Sequence, residues 1–148
     1  MKRLLLTICI GIVGIGNAQN VYIPDTIFKA YLVGEPTINT NGDTEIQVSE
    51  AAAFSRGISL SEMSISDLIG IEAFTALTYL DCGDIQLTSL DVTKNTALTY
   101  LECRNNKLKR IDVTNNTALT YLYCEDNKLR CVVGVPQGCK LEGAVICP

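Results

Sequence analysis

The 148-residue sequence contains no histidine. That removes the commonest general base, the commonest metal ligand and every Ser/His or Cys/His nucleophile pair. With no base paired to a nucleophile, the chain is not expected to be an enzyme. It has no run of lysine or arginine and carries a net charge of −4, which argues against a nucleic-acid partner. No two cysteines stand in a C-x-x-C spacing, so a structural zinc site lacks its usual ligands. The long apolar run at the start, Leu4 to Gly16, has 13 residues, short of the roughly 20 that a membrane-spanning helix needs.

What precedes and follows that run explains it. Lys2 and Arg3 stand before it, and Gly16-Asn17-Ala18 ends it with small residues. Residues 1–18 therefore read as a secretory signal peptide cut after Ala18. The mature chain is expected to be secreted or at the cell surface, with no transmembrane helix. Losing Lys2 and Arg3 leaves 10 basic against 16 acidic residues, a net charge of −6. Cys9 leaves with the signal, and the remaining cysteines go to an oxidising place.

The main positive feature is repetition. "ALTYLDCGDIQLTSLDVTKNT" begins at Ala76, "ALTYLECRNNKLKRIDVTNNT" at Ala97, and "ALTYLYCEDNKLR" at Ala118. The first two share 12 of 21 positions. The spacing Leu-x-x-Leu-x-Cys-x-x-Asn-x-Leu runs through Leu98, Leu101, Cys103, Asn106 and Leu108, and again through Leu119, Leu122, Cys124, Asn127 and Leu129. In the first copy Ile85 stands where asparagine is expected. The spacing resembles the leucine-rich repeat, with cysteine in place of the third leucine. It predicts a short strand over residues 100–104, with Leu101 and Cys103 inward and Tyr100, Glu102 and Arg104 outward. The chain then turns and returns through Ile111 and Val113, and "DVTNNT" turns into the next coil. A single coil cannot bury its own apolar edge, but a stack can. Asn106 and Asn127 are expected to face inward and bond main-chain groups of the bend. A degraded coil with a shorter turn, "ISLSEMSISDLIGIEAFT", precedes, making about four coils between residues 58 and 130.

The pattern "LTYLxCxxNxLxxLDVTxNTA" is similar to repeats in secreted proteins of Bacteroidetes-type bacteria, which resemble internalin-type repeats. Many of those proteins also begin with a segment like "YIPDTIFKAYLVG…INTNGDTEIQVSEA", here Tyr22 to Ala51. The resemblance implies an extracellular or surface-exposed binding protein. It also implies, for many such proteins, a C-terminal sorting domain. That pattern does not occur before Pro148, which leaves a different export route or a longer protein as alternatives.

Three groups of residues could carry function. On the strand face, Tyr79, Tyr100 and Tyr121 should stack as one column. Asp81, Glu102 and Tyr123 should form a second, and Gly83, Arg104 and Glu125 a third. Exposed aromatics beside carboxylates suit a protein or glycan ligand; duplication and sheet shielding explain the same tyrosines without one. In "NTNGDTEIQVSE", Asn39, Asn41, Asp43, Glu45 and Glu50 match positions 1, 3, 5, 7 and 12 of an EF-hand calcium loop. A segment with Ile23, Ile27, Phe28, Tyr31 and Leu32 on one helical face precedes it, and helix-forming "SEAAAF" follows. Asn39 replaces the usual aspartate, and Thr44 stands where glycine normally bends the loop; the alternative is a capping turn without metal. Cys82, Cys103 and Cys124 are expected to be free, buried thiols. Cys131, Cys139 and Cys147 allow at most one internal pair.

The expected architecture is thus an α/β repeat solenoid of the leucine-rich type. It has short parallel strands on one face, mostly irregular turns on the other and a helical N-terminal cap. Its parts are residues 1–18 as signal peptide, 19–57 as an EF-hand-like helix-loop-helix cap, 58–130 as repeats and 131–148 as a C-terminal cap. The expected function is recognition of a protein or glycan through the strand face. The alternative is a calcium-stabilised structural spacer without a specific ligand.

Overall fold

A computed structural model of the chain describes residues 19–147. The expected signal peptide and Pro148 lie outside the described residues. Among the described residues are seven short strands: β1 (Gly57–Ser59), β2 (Tyr79–Asp81), β3 (Tyr100–Glu102), β4 (Ile111–Asp112), β5 (Tyr121–Tyr123), β6 (Val132–Val133) and β7 (Lys140–Glu142). Five of them form one parallel sheet in the order β1-β2-β3-β5-β7. On the return side of the coils, β4 and β6 pair in parallel. The chain is a parallel-strand solenoid of about four turns.

The sheet register follows the repeat. Tyr79 pairs with Tyr100 and Tyr100 with Tyr121. The coil before them pairs Gly57 with Tyr79; expected to be shortened, it spends one residue more than the 21-residue period. The coil after them pairs Tyr121 with Lys140, two residues short of the period. So the C-terminal segment adds a strand, and the repeat spacing does not announce it.

Strand alternation sends Leu80, Leu101 and Leu122 into the core, all without exposure, with Cys82, Cys103 and Cys124 beside them. Each such leucine contributes on the order of 1.5–3 kcal/mol by burial. Each thiol also points along the stack. Cys82 Sγ lies 3.2 Å from the Glu102 carbonyl, Cys103 Sγ 3.3 Å from that of Tyr123, and Cys124 Sγ 3.2 Å from that of Glu142.

The corner after each strand needs a left-handed residue. Asp84, Asn105 and Asp126 occupy it, at φ of 58°, 50° and 51°, and Asn and Asp tolerate that conformation best among residues with side chains. The following asparagine locks the corner. Asn106 Nδ2 donates to the carbonyls of Cys82 (2.8 Å), Cys103 (3.0 Å) and Arg104 (3.0 Å), while its Oδ1 accepts from Leu87 N (2.8 Å). Asn127 repeats the arrangement one coil on, accepting from Leu108 N at 3.0 Å. Where Ile85 supplies no amide, the next residue, Gln86, is left-handed too.

A second asparagine pair is buried more deeply. Asn95 and Asn116, in the "DVTKNT" and "DVTNNT" turns, have no exposure. Asn95 Nδ2 donates to the Ile71 and Phe74 carbonyls, and Asn116 Nδ2 to those of Val92 and Asn95. At the strand entrances, Thr99 Oγ1 donates to the Thr78 carbonyl and Thr120 Oγ1 to that of Thr99.

Before the first coil lie two helices, α1 (Thr26–Gly34) and α2 (Val48–Ala53). Asp25 Oδ1 caps α1, accepting from Ile27 N and Phe28 N at 3.0 Å. Phe28 and Leu32 are buried, but Ile27 is 42% exposed. The helix buries a narrower stripe than the expected face, so Ile27 does not belong to it. Cys131 and Cys147 form a disulfide, leaving Cys139 free.

Candidate binding face

The sheet presents its outward residues in registered rows, and Tyr79, Tyr100 and Tyr121 stand in one of them. Tyr79 and Tyr100 stack with centroids 4.6 Å apart and planes 15° from parallel. Beyond them the column breaks. Tyr100 and Tyr121 are 6.0 Å apart and tilted by 43°, because Tyr123 from the neighbouring row leans in. Its ring lies 5.6 Å from Tyr100 and stacks on Tyr121 at 6.4 Å. The result is a cluster of four rings, not a single file of three. The ends of the row differ: at one, the Tyr79 ring lies on Gly57, where a Cβ would come within 3.0 Å. At the other, the Lys140 ammonium sits 5.5 Å from the Tyr123 centroid and pairs with Glu142.

The carboxylates of the second row flank the rings. Asp81 is half-buried and accepts from Gly83 N and Ser59 Oγ, both at 3.1 Å. Glu102 is only 7% exposed. Its Oε1 accepts from Arg104 N at 3.1 Å and faces the Arg104 guanidinium at 3.7 Å. Burial pushes the Glu102 carboxyl above its usual range, and the charges of Asp81 and Glu125 add to this; Arg104 opposes it. The phenols of Tyr79 and Tyr100 are raised for the same reasons, burial first and then the nearby carboxylates.

The loop 39–50 has a different character. Asn39 is buried, and its Nδ2 donates to the carbonyls of Val33 and Asp43. Asn41 donates to Asp43 Oδ2 and Gln47 Oε1. Asp43 Oδ1 accepts from Glu45 N, and the Glu45 carboxylate pairs with Lys29 at 2.6 Å. Glu50 Oε1 accepts from Thr40 N, Thr40 Oγ1 and Asn41 N, and its Oε2 accepts from Gln47 N. Those bonds overcome the effect of burial and hold the Glu50 carboxyl below its usual range. As placed, the five residues bond to groups of the loop, to the Val33 carbonyl and to Lys29. Among the described residues no group of three or more histidine, cysteine or acidic side chains is arranged to hold a metal.

The cysteines offer no reactive centre within the stack. Burial, with nearby Asp81 and Glu102, raises Cys82 far above the usual thiol range. Burial also raises Cys103, and pushes Cys124 up to about 11.

Sequence reasoning did not find Lys140 as a terminus of the tyrosine cluster, because β7 falls outside the 21-residue period. Nor did it find Asn95 and Asn116; their recurrence at one position of both turns was the available signal.

No protein-family model matches the chain, and no curated protein matches it. Solved structures do. The functional domain of InlJ from Listeria monocytogenes, described as including a cysteine ladder, is 38% identical over 76% of this chain, with a TM-score of 0.64. An internalin, InlF, from Listeria monocytogenes strain 4b F2365 is 19% identical over 78% of this chain, with a TM-score of 0.60; at that identity the likeness concerns the fold. The chain spans 25% of the first structure's length and 37% of the second's. Its structural neighbours are thus internalins, leucine-rich repeat proteins.

Proposed function

We propose that the chain is a non-catalytic recognition module, secreted or surface-exposed, that binds a protein or glycan through its strand face. The observation that carries this is the four-ring cluster flanked by Asp81, Glu102 and Arg104 on a rigid parallel sheet. Tyr79 and Tyr121 remain 37% and 44% exposed although the fold has an apolar core available. Exposed, immobilised aromatics bind at low entropic cost. The likeness to internalins supports a role in protein binding or surface interaction. Among the described residues no helix is long and apolar enough to cross a membrane. Binding to an arrayed panel of purified surface proteins and oligosaccharides tests the reading. Tyr100→Ala should abolish most binding, and Lys94→Ala, on the return side, should leave it intact. Equal loss from both, or from neither, rejects the face.

The second reading is a calcium-stabilised spacer without a ligand. It rests on the acidic loop 39–50, where Asn39, Asn41, Asp43, Glu45 and Glu50 fall at the ligand positions of an EF-hand loop. A calcium-dependent melting temperature with no ligand on the panel would favour it.

A further inference from the structure

The two ends of the stack are finished differently. Before β1 the core is closed by α1 and α2, whose Phe28, Leu32 and Ala51 are buried in it. At the other end β7 is the last strand of the five-stranded sheet and pairs only with β5. Lys140 N donates to the Thr120 carbonyl, and the Glu142 carbonyl accepts from Cys124 N. Residues 140 and 142 thus spend main-chain groups on β5, and alternation turns those of Leu141 the other way. The Leu141 N–H and C=O line the outer edge, and no described residue bonds them. On the return side the last rung is Ile146, bridged to Val132. Val145 and Ile146 stand there 66% and 55% exposed.

An open edge is a template for another strand, and charged side chains are the usual guard against that. Here the guard is complementary to itself. The strand reads Lys140-Leu141-Glu142. A second copy, turned end for end about Leu141, sets its Glu142 against Lys140 and its Lys140 against Glu142. The two Leu141 residues then form a hydrogen-bonded pair and exchange both N–H···O bonds. The charged positions become the non-hydrogen-bonded pairs, whose side chains stand closest, with Cα atoms ~4.5 Å apart. Lys140 and Glu142 now pair within the strand, and their side chains are 57% and 39% exposed, open to a partner. Parallel stacking on β1 of another copy would set the same charges against Gly57 and Ser59 and match nothing. The approach is open as well: a Cβ at Gly138, just before the strand, would meet nothing within 4 Å.

We infer that two copies of this chain associate edge to edge through β7, antiparallel and related by a two-fold axis, with Lys140 of each copy facing Glu142 of the other. That axis stands perpendicular to the sheet, so the two five-stranded sheets continue as one and both strand faces look the same way. The two tyrosine clusters then form a bivalent surface. This last consequence alone rests on the strand-face reading; the pairing itself is tested without any ligand.

Sedimentation equilibrium on the mature chain reads the association, with Cys139→Ser throughout so that no interchain disulfide substitutes for it. The unmutated strand should give a monomer–dimer equilibrium with Kd on the order of 10–100 µM, as suits so short a junction. Lys140→Glu and Glu142→Lys should each weaken it about tenfold or more, by setting like charges opposite each other. Both changes in one chain should restore it, but so would rebuilding the ion pair within the strand. The deciding arm is therefore an equimolar mixture of the two single variants. Neither carries a Lys–Glu pair in its own β7, yet across the junction every glutamate of one meets a lysine of the other. The mixed dimer should be at least as tight as the unmutated one. Hydrogen exchange on the unmutated strand needs no variant: the Leu141 amide should exchange more slowly as protein concentration rises. A chain still monomeric at ~500 µM overturns the inference, since an equilibrium of the stated strength would be mostly dimer there. A mixture of folded single variants no tighter than its components overturns it, as does a Leu141 amide whose exchange ignores concentration. Species that keep growing with concentration mean head-to-tail stacking on β1 and overturn it too.

Discussion

The repeat coils and the segment before them satisfy their buried polar groups by opposite means. In the coils the bonds run between turns: Asn106 reaches the carbonyl of Cys82 and receives Leu87 N, and Asn116 reaches Val92 and Asn95. In the segment before them the bonds close locally. Glu50 receives Thr40, Asn41 and Gln47 N–H groups, and Asn39 receives Gly42 N. Among the described side chains of that segment, Asp25 reaches into the coils. Asp25 caps α1 with one oxygen, and with the other accepts from Ser66 N and Ser66 Oγ at 2.8 Å. A damaged rung should therefore unsettle two coils, whereas a damaged loop bond should stay local.

The largest test of that contrast is Asn106→Ala. It strips four hydrogen bonds from a buried corner and leaves carbonyls of two coils without their donor. The expected cost is about 3–5 kcal/mol by chemical denaturation. If Asn106→Ala costs under ~1 kcal/mol, the corners are not what couples the coils.

Asp25 comes next, because it joins the two regions. Burial alone would raise its carboxyl, but hydrogen bonds from Phe28, Ser66 and Ile27 hold it at about 2, below its ordinary 3.8. A folded value below the unfolded one contributes stability that is fully present above pH ~4 and is lost as pH falls through ~2. Its worth is on the order of 2 kcal/mol. Melts of Asp25→Asn and the unmutated chain should differ most at neutral pH and converge near pH 2. A constant gap across that window would remove Asp25 as the joint.

How far these features could be read beforehand follows the same divide. Within the period, a position known in one coil is known in all. The inward cysteines, the outward tyrosines and the corner asparagines Asn106 and Asn127 were legible for that reason. Asn95 and Asn116 were read as turn residues, since asparagine is common in turns whether or not its amide is buried. Tyr123 joining the ring cluster was not legible, because side-chain lean depends on neighbours three-dimensionally. Outside the period only local patterns were available. Helical spacing placed Ile27 with Phe28 and Leu32, but spacing does not say how wide a face the neighbouring coil covers.

A smaller effect is expected from the cysteine rung. Cys103→Ser should cost about 1–2 kcal/mol, although Tyr123 offers a carbonyl, because the shorter Cβ–O bond draws the hydroxyl back from an acceptor 3.3 Å from the sulfur. Cys103→Ala should cost less. Under native conditions a bulky thiol reagent should modify the half-buried Cys139 well before Cys82, Cys103 or Cys124. Rapid labelling of the three ladder thiols would mean that the coils open far more readily than an inter-turn network allows.

The smallest effect should come from Glu50→Gln, and it separates two roles for that residue. As an acceptor of local N–H groups, the Glu50 carboxylate stabilises the loop with no metal present. Glutamine keeps the shape but replaces one acceptor oxygen with a donor, which would face Gln47 N or the Thr40 and Asn41 amides. The expected loss is about 1 kcal/mol, measured in chelator. As a calcium ligand at position 12 of the loop, Glu50 would matter only when calcium is added. A site with Kd near ~1 mM would raise stability by about 1.4 kcal/mol at ~10 mM calcium, and the variant would lose that increment alone. The two roles predict opposite patterns in a single experiment, melting both proteins with chelator and with calcium. A gap already complete in chelator assigns Glu50 to the loop's hydrogen bonds. A gap that opens only with calcium would make the segment before the coils depend on an ion, and would break the contrast between local and inter-turn bonding.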